Sequence, residues 1–425
     1  MSPEARRAKI IESARFVFSQ SGAGRTKIQT IADHAGITAP FLYQHFESRE
    51  ALFKVAVLEP LELTVERLAR QIQELAAEPP GDGSAPHIKL HTVFLNNTIE
   101  LIPLLAAAQF SDPIKGPELF GGVIYPQIRK SLVGLMSKYT GWSANSIELD
   151  LAMRALIGLH FGVALETVLS GKPLNKTQVA EDLSTMFGQG LTHAGSAKGT
   201  RRRNVAARKI VTTQVDEQEG GAPRRKMSKA NRIDAILAAA REVFLQYGLT
   251  GARSKQIADE VGITEAFMFR LFTTKEKIYE EAILKPLSLA FSELSGKVTR
   301  IGRTSSGLTF MEQLCKLGVP FFTEYGPLCI VALFSELSEG QKYYRKVLVP
   351  HLRTIRKAMT EQDGLIEPGV NAETMRRAVI GAVWGVTFDT EHWKYTAKPD
   401  VTEAILTRLF TMGIKTHPAY ARRDA

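Results

Sequence analysis

Cysteine is nearly missing. The 425 residues hold two, Cys315 and Cys329, which excludes a disulfide scaffold, and their spacing fits no zinc or redox motif. Both are expected to be small buried hydrophobes in a reducing compartment. Long uncharged runs are scarce as well. A charge-free run such as Ala378 to Phe388 is about half of the ~20 residues a membrane span needs, so no membrane segment is expected. The opening Met-Ser-Pro-Glu-Ala-Arg-Arg has no apolar stretch and does not read as a secretory signal; the expected location is the cytoplasm. P-loop, dinucleotide, HExxH, CxxC and G-x-S-x-G elements are missing. Apart from His87 and His91, which are four apart, the nine histidines do not take metal-ligand spacing. No enzyme, cofactor or metal centre is expected.

What the chain does have is positive charge. Lys and Arg outnumber Asp and Glu by 54 to 44, a net +10, which favours an anionic partner without naming it. Much of the excess is local. Between Ser196 and Arg232 stand Arg201, Arg202, Arg203, Arg224, Arg225 and six further cations against Asp216, Glu217 and Glu219. With Gly220, Gly221 and Pro223 and no apolar periodicity, residues 196–228 read as a flexible linker. It is either a solvated spacer or a basic arm that follows phosphates.

The rest of the chain is a repeat. Residues 6–63 align without a gap to residues 232–289. Ile31-Ala32-Asp33 matches Ile257-Ala258-Asp259, and Gly36-Ile37-Thr38 matches Gly262-Ile263-Thr264. The match resumes at Pro103-Leu104 with Pro327-Leu328, and again where the run from Arg154 to Thr167 mirrors Arg377 to Thr390. The expected division is therefore a first head (1–60), a first body (61–195), the linker, a second head (229–286), a second body (287–417) and a tail (418–425).

Within one unit, Ile10, Ala14, Val17 and Phe18 form the apolar stripe of a first helix ending near Gly22. Thr26 is placed to cap a short second helix. Gly36 supplies a left-handed turn. Thr38 caps a third helix with Pro40 in its first turn. Two short helices about a tight glycine turn make a helix-turn-helix, whose second helix reads a DNA groove. Ser48 caps a fourth helix expected to run to about Pro60, followed by helices near 61–77, 86–110, 117–139, 146–170 and 176–193. Neither half shows a strand pattern, so the expected fold is all-α: two tandem units, each a helix-turn-helix head on a helical body.

The run from Ile31 to Leu52, IADHAGITAPFLYQHFESREAL, closely resembles the DNA-binding signature of the TetR family of repressors. The second copy keeps IAD-x-VGIT, Phe272, Lys275 and Glu276. The resemblance implies that Thr38, Ala39 and Pro40 face base edges, that Tyr43 and His45 reach the phosphate backbone, and that Arg49, Thr26 and Lys27 contact phosphates, with Gln29 near a base edge. In the second head Thr264 and Glu265 begin the reading helix, Phe269 and Leu271 replace the tyrosine and histidine, and Arg253, Lys255, Arg270 and Lys275 supply cations. Two outcomes fit these changes. That head reads a different half-site, or it has become a structural partner that does not bind DNA.

Most relatives in that family carry one unit and pair as homodimers through helices near the end of each body. Gly158 and Gly162, and Gly381 and Gly385, are four apart on apolar helices. They either bring two such helices together, closing a pseudo-dimer inside one chain, or ease packing within one body. Phe94, Phe110, Phe120, His160 and Phe161 in the first body, and Phe321, Phe322, Phe334 and Trp384 in the second, are core residues or the walls of a cavity. The resemblance implies a small apolar or amphipathic effector. The expected function is a ligand-responsive transcriptional regulator, a repressor, reading an asymmetric double-stranded operator. The alternative is a sequestering protein with a vestigial second head.

Overall fold

The computed structural model describes residues 2–22, 24, 26–78, 85–111, 119–140, 142–189, 229–305, 307–362, 365, 369–387 and 398–412. The expected linker at 196–228 and tail at 418–425 lie outside the described residues. Among those described there are helices and no strand. The first half holds α1 (Pro3–Ser21), α2 (Ile28–Ala35), α3 (Ala39–Tyr43), α4 (residues 49–77), α5 (Ala85–Gln109), α6 (residues 119–140), α7 (Ile147–Ser170) and α8 (Lys176–Gln189). The second half repeats the order as α9 (Lys229–Gly251), α10 (Ser254–Val261), α11 (Glu265–Leu271), α12 (residues 275–304), α13 (Gly307–Phe334), α14 (residues 337–360), α15 (Ala372–Thr387) and α16 (Pro399–Met412).

The helix that starts at Arg49 does not stop near Pro60. It crosses from head to body as α4, and Pro60 is carried past a π-turn at Lys54–Leu58. Proline has no N–H to donate and its ring crowds the carbonyl four residues back. A turn with i→i−5 bonds widens the helix and relieves that clash. Glu59 N–H donates to Lys54 O in this way. The same device recurs before Pro286, Pro126 and Pro350, with π-turns at Glu280–Leu284, Leu119–Ile124 and Tyr344–Leu348. Head and body are thus joined by an unbroken helix in each half, α4 and α12.

Among the described residues, three helices have the length and composition to cross a membrane: His87–Gln109, Ile147–Ser170 and Thr309–Phe334. Counting only charge-free runs missed them, because isolated residues such as Glu100 and Glu324 interrupt each run. Between 61% and 78% of these apolar windows is buried inside the protein. A helix apolar all round belongs at the centre of a large core, and α7 holds that place.

There α7 crosses α15. A Cβ on Gly162 would lie 2.6 Å from Gly381 Cα and 2.7 Å from the Arg377 carbonyl oxygen. One on Gly385 would lie 2.6 Å from Gly158 Cα and 2.7 Å from the Arg154 carbonyl oxygen. The two halves therefore meet backbone to backbone, at glycines that answer each other. Ion pairs flank the crossing. Glu166 of α7 pairs with Arg376 and Arg377 (3.2 Å to the latter) on α15. Within the first half, Asp150 pairs with Arg154 at 2.7 Å and Arg129 at 3.1 Å.

Candidate nucleic-acid interface and the cavities behind it

In the first head, Gly36 takes the left-handed conformation (φ 70°, ψ 38°) that lets α2 turn sharply into α3,. Thr38 Oγ1 accepts from Phe41 N–H and caps α3. Leu42 and Phe46 are buried and anchor one face of the segment; Arg7 lies over the Phe46 ring at 5.0 Å. The opposite face is open. Thr38 and Pro40 are exposed, Ala39 is half-buried, and Tyr43 is 51% exposed. His45 is half-buried, edge-on to Phe41 at 5.1 Å.

Thr26 is corrected. It is buried, its hydroxyl donates to Gly22 O at 2.8 Å, and α2 is capped instead by Lys27, whose side chain makes no capping bond. A hydroxyl turned inward to close the preceding turn is not placed for phosphate. Lys27 and Gln29 are exposed, and Gln29 donates to Asp33 at 2.7 Å. The Arg49 guanidinium lies against Glu50 (3.3 Å) and reaches the Thr26 carbonyl (3.5 Å).

The second head keeps the frame. Thr264 caps α11 from Phe267 N–H at 3.1 Å, Gly262 is left-handed, and Lys275 donates to Ala252 O at 2.9 Å, the counterpart of the Arg49 contact. The reading face differs. Glu265 is exposed, while Phe269 and Leu271 are half-buried against the core. Phe269 is thus not presented as Tyr43 is. Arg270 is exposed but lies over the Phe267 ring at 5.1 Å, which Arg232 also covers at 5.5 Å. Arg253 and Lys255 are exposed.

Both heads lean on the same stretch of the second half. Ser338 Oγ donates to Gln20 O at 3.0 Å in the first head, and a Cβ on Gly22 would meet Ser335 O at 2.8 Å. Thr250 of the second head donates to Glu336 at 2.7 Å. A Cβ on Gly24 would meet Thr250 at 3.4 Å, so the two heads also touch each other.

The aromatic residues of the bodies divide. Phe120, Phe161 and Trp384 surround a small cleft with Tyr125, Arg154, Gly158, Gly381 and Gly385. Phe322 and Trp384 line a second cavity, larger than the first, with Leu165 and Glu166 of α7 and Arg376 of α15. Phe94 and His160 line neither. They stack at 4.5 Å, and His160 is fully buried between Leu156 O (2.7 Å) and His91 (2.9 Å). Burial drives the His160 pKa down to about 3, and burial together with His160 and His87 pushes His91 well below the usual histidine range. Phe110 packs at the junction with the second head, 3.0 Å from where a Gly248 Cβ would be. Phe321 packs on Phe291, Phe322 and Tyr325. Phe334 stacks on Phe161 across the halves at 6.0 Å.

Sequence reasoning missed the cluster of Arg376, Arg377, Glu373 and Glu166. The signal was present: charges at 373, 376 and 377 open an otherwise apolar helix. Burial alone would lower the Arg376 pKa, but Glu166 and Glu373 hold it above the ordinary arginine range. Cys329, which also lines the larger cavity, has its thiol pushed up by burial to about 12 and stays neutral.

The sequence profile of bacterial regulatory proteins of the tetR family matches residues 10–56 and 236–282, the two heads. The chain is 41% identical over 64 residues to the HTH-type transcriptional regulator TtgR of Pseudomonas putida, and equally to the regulator ArpR of the same species. Each match covers 15% of this chain and spans only 30% of the relative's length. Among solved structures, a Pseudomonas aeruginosa PAO1 protein described as a transcriptional regulator aligns at 23% identity over 43% of this chain and 89% of its own, with a TM-score of 0.30. A Streptomyces coelicolor tetR-family regulator aligns at 22% identity over 43% and 79%, with a TM-score of 0.28. The same tetR-type DNA-binding signature thus heads each of the two helical halves, a tandem arrangement within one chain.

Proposed function

We propose that the chain is a sequence-specific DNA-binding transcriptional regulator, a ligand-responsive repressor of the cytoplasm rather than an enzyme or membrane protein. The observation that carries this reading is the open face of α3: Thr38, Pro40 and Tyr43 stand exposed while Leu42 and Phe46 are buried beneath them. A capped helix held by one apolar face offers its other face to a groove, where Thr38 and Pro40 reach base edges and Tyr43 a phosphate. Arg49, Lys27 and Gln29 flank it. The second head contributes Arg253, Lys255 and Arg270 with Glu265 beside them, a different pattern, so the operator has unlike halves. The α7–α15 crossing supports a pseudo-dimer closed within one chain, so that the active species is a monomer of 46.9 kDa.

Selection of bound duplexes from a random pool tests the reading. A recovered site with two dissimilar halves about one DNA turn apart supports it; no enrichment over input at ~150 mM salt, where non-specific binding is already weak, sinks it. Light scattering giving about twice the chain mass, with no monomer on dilution, sinks the monomer. A second reading, sequestration of another regulator with the second head silent, is favoured by the inward Phe269 and the Arg270 resting on Phe267. Protection of only the half-site that depends on Tyr43 would favour it.

A further inference from the structure

The larger cavity belongs to neither half alone. Leu165 and Glu166 come from the first half, and Phe322, Leu333, Arg376 and Trp384 from the second. Its walls are mostly apolar with a few polar side chains among them, the pairing that small-molecule sites show. Here the anchor is specific. Arg376 is 2% exposed, and its guanidinium is bound by Glu166 and by Glu373 (2.8 Å). Its Nη1 has no hydrogen-bond partner. A buried donor left unmatched is costly, and a ligand that matches it recovers that cost.

Charge narrows the class. Arg376 and Arg377 are balanced by Glu166 and Glu373, so an incoming carboxylate would be an unpaired charge beside Glu166. The repeat narrows the number. In the alignment of Arg154 with Arg377, the position of Arg376 is Met153, buried and without a donor, and at the smaller cleft Tyr125 and Arg154 both bond Asp150, at 3.1 Å and 2.7 Å.

We propose that the chain has one effector site, this shared cavity, and that its ligand is a neutral, largely apolar molecule bearing a hydrogen-bond acceptor, such as an aryl ketone or ester, anchored on Arg376. The proposal rests on the ligand-responsive reading above and makes it specific. One wall residue, Leu333, stands immediately before the stretch of Ser335, Glu336 and Ser338 that touches both heads.

The test is a fluorescence titration of the purified full chain, without DNA, using the neutral ketone 6-propionyl-2-(dimethylamino)naphthalene. The comparison ligands are 2-(dimethylamino)naphthalene, which lacks the acyl group, and the corresponding 2-naphthoate carboxylate. Saturable binding with blue-shifted emission and one site per chain is expected. Arg376→Met should weaken the ketone about tenfold or more and the acyl-free compound less than twofold. Arg376→Lys retains the charge without the fork and should weaken the ketone several-fold. Leu165→Phe, altered only in the first half, should block both compounds by filling the cavity.

Two sites per chain, equal losses for both compounds in folded Arg376 variants, tighter binding of the carboxylate, or no saturable ketone binding would each overturn the proposal. If Arg376→Met fails to fold, the Lys and Phe variants decide. With no DNA in the titration, a negative result leaves operator reading untouched, and a failed operator selection leaves the titration valid.

Discussion

The two halves share a backbone plan but fill it differently, and the differences fall where side chains rather than main chains meet. In the first body Phe94 lies on His160, which is bonded to His91. In the second the matching residues are Gly318, Val383 and Cys315, and Val383 occupies the space that a Cβ on Gly318 would need, 2.9 Å away. Aromatic on imidazole in one half becomes glycine under valine in the other, with the helices kept in place. At the crossing of α7 and α15 no such exchange has occurred, because there the neighbour of each glycine is backbone, which cannot be repacked.

The comparison can be broken by substitution. The largest effect is expected for Phe94→Ala, a loss of about 3–5 kcal/mol in urea unfolding as a buried ring leaves a cavity. Gly318→Ala in the other half should cost about 1 kcal/mol or less, because alanine's gain in helix propensity, about 1 kcal/mol, offsets the crowding against Val383. Equal costs would show that the halves are packed alike after all.

Next is the crossing. Gly158→Ala or Gly381→Ala should cost about 1–3 kcal/mol or more, because the new methyl meets main chain. Gly134→Ala and Gly296→Ala, which have open space around them, should stabilise by up to about 1 kcal/mol. A neutral Gly158→Ala would rule out close approach of the two helices in solution.

Acid should distinguish the halves further. The carbonyl of Leu156 can only accept, so His160 Nδ1 carries the proton and its Nε2 accepts from His91,. Both rings are held neutral in the fold, with pKa values below the unfolded value of about 6.5, so the unfolded state binds protons first. Stability is full above pH 6.5 and is lost as pH falls toward about 3, the folded value of His160, by about 1.4 kcal/mol per pH unit for each ring. Urea midpoints between pH 7.5 and 5 should fall, and replacing both histidines with asparagine should flatten the slope. An unchanged slope contradicts a buried neutral pair.

The smallest effect separates the heads. Tyr43→Phe should weaken operator binding about fivefold, the worth of one hydrogen bond of ~1 kcal/mol. Phe269→Tyr should gain nothing, because that ring is half-buried against the core. An affinity gain from Phe269→Tyr would show the two reading helices to be equivalent.

The heads were the most legible part of the sequence because their signals are local: a capping threonine three residues before the N–H it accepts, and a glycine at the left-handed turn. The four glycines were legible as a spacing, although only the structure shows that they face each other. Three things could not be read. Proline normally ends a helix, and only the full ladder shows the π-turn that carries Pro60 through. Thr26 looked outward because its acceptor, Gly22 O, comes within reach only once the turn is folded. Arg376 is a surface residue by type, and its burial depends on Glu166, 210 residues earlier in the chain.

Ser335, Glu336 and Ser338 belong to one half yet bear on Gly22 and Gln20 of one head and on Thr250 of the other. Among the described residues, one stretch of the second half thus bears on both heads, so that moving it would move both at once.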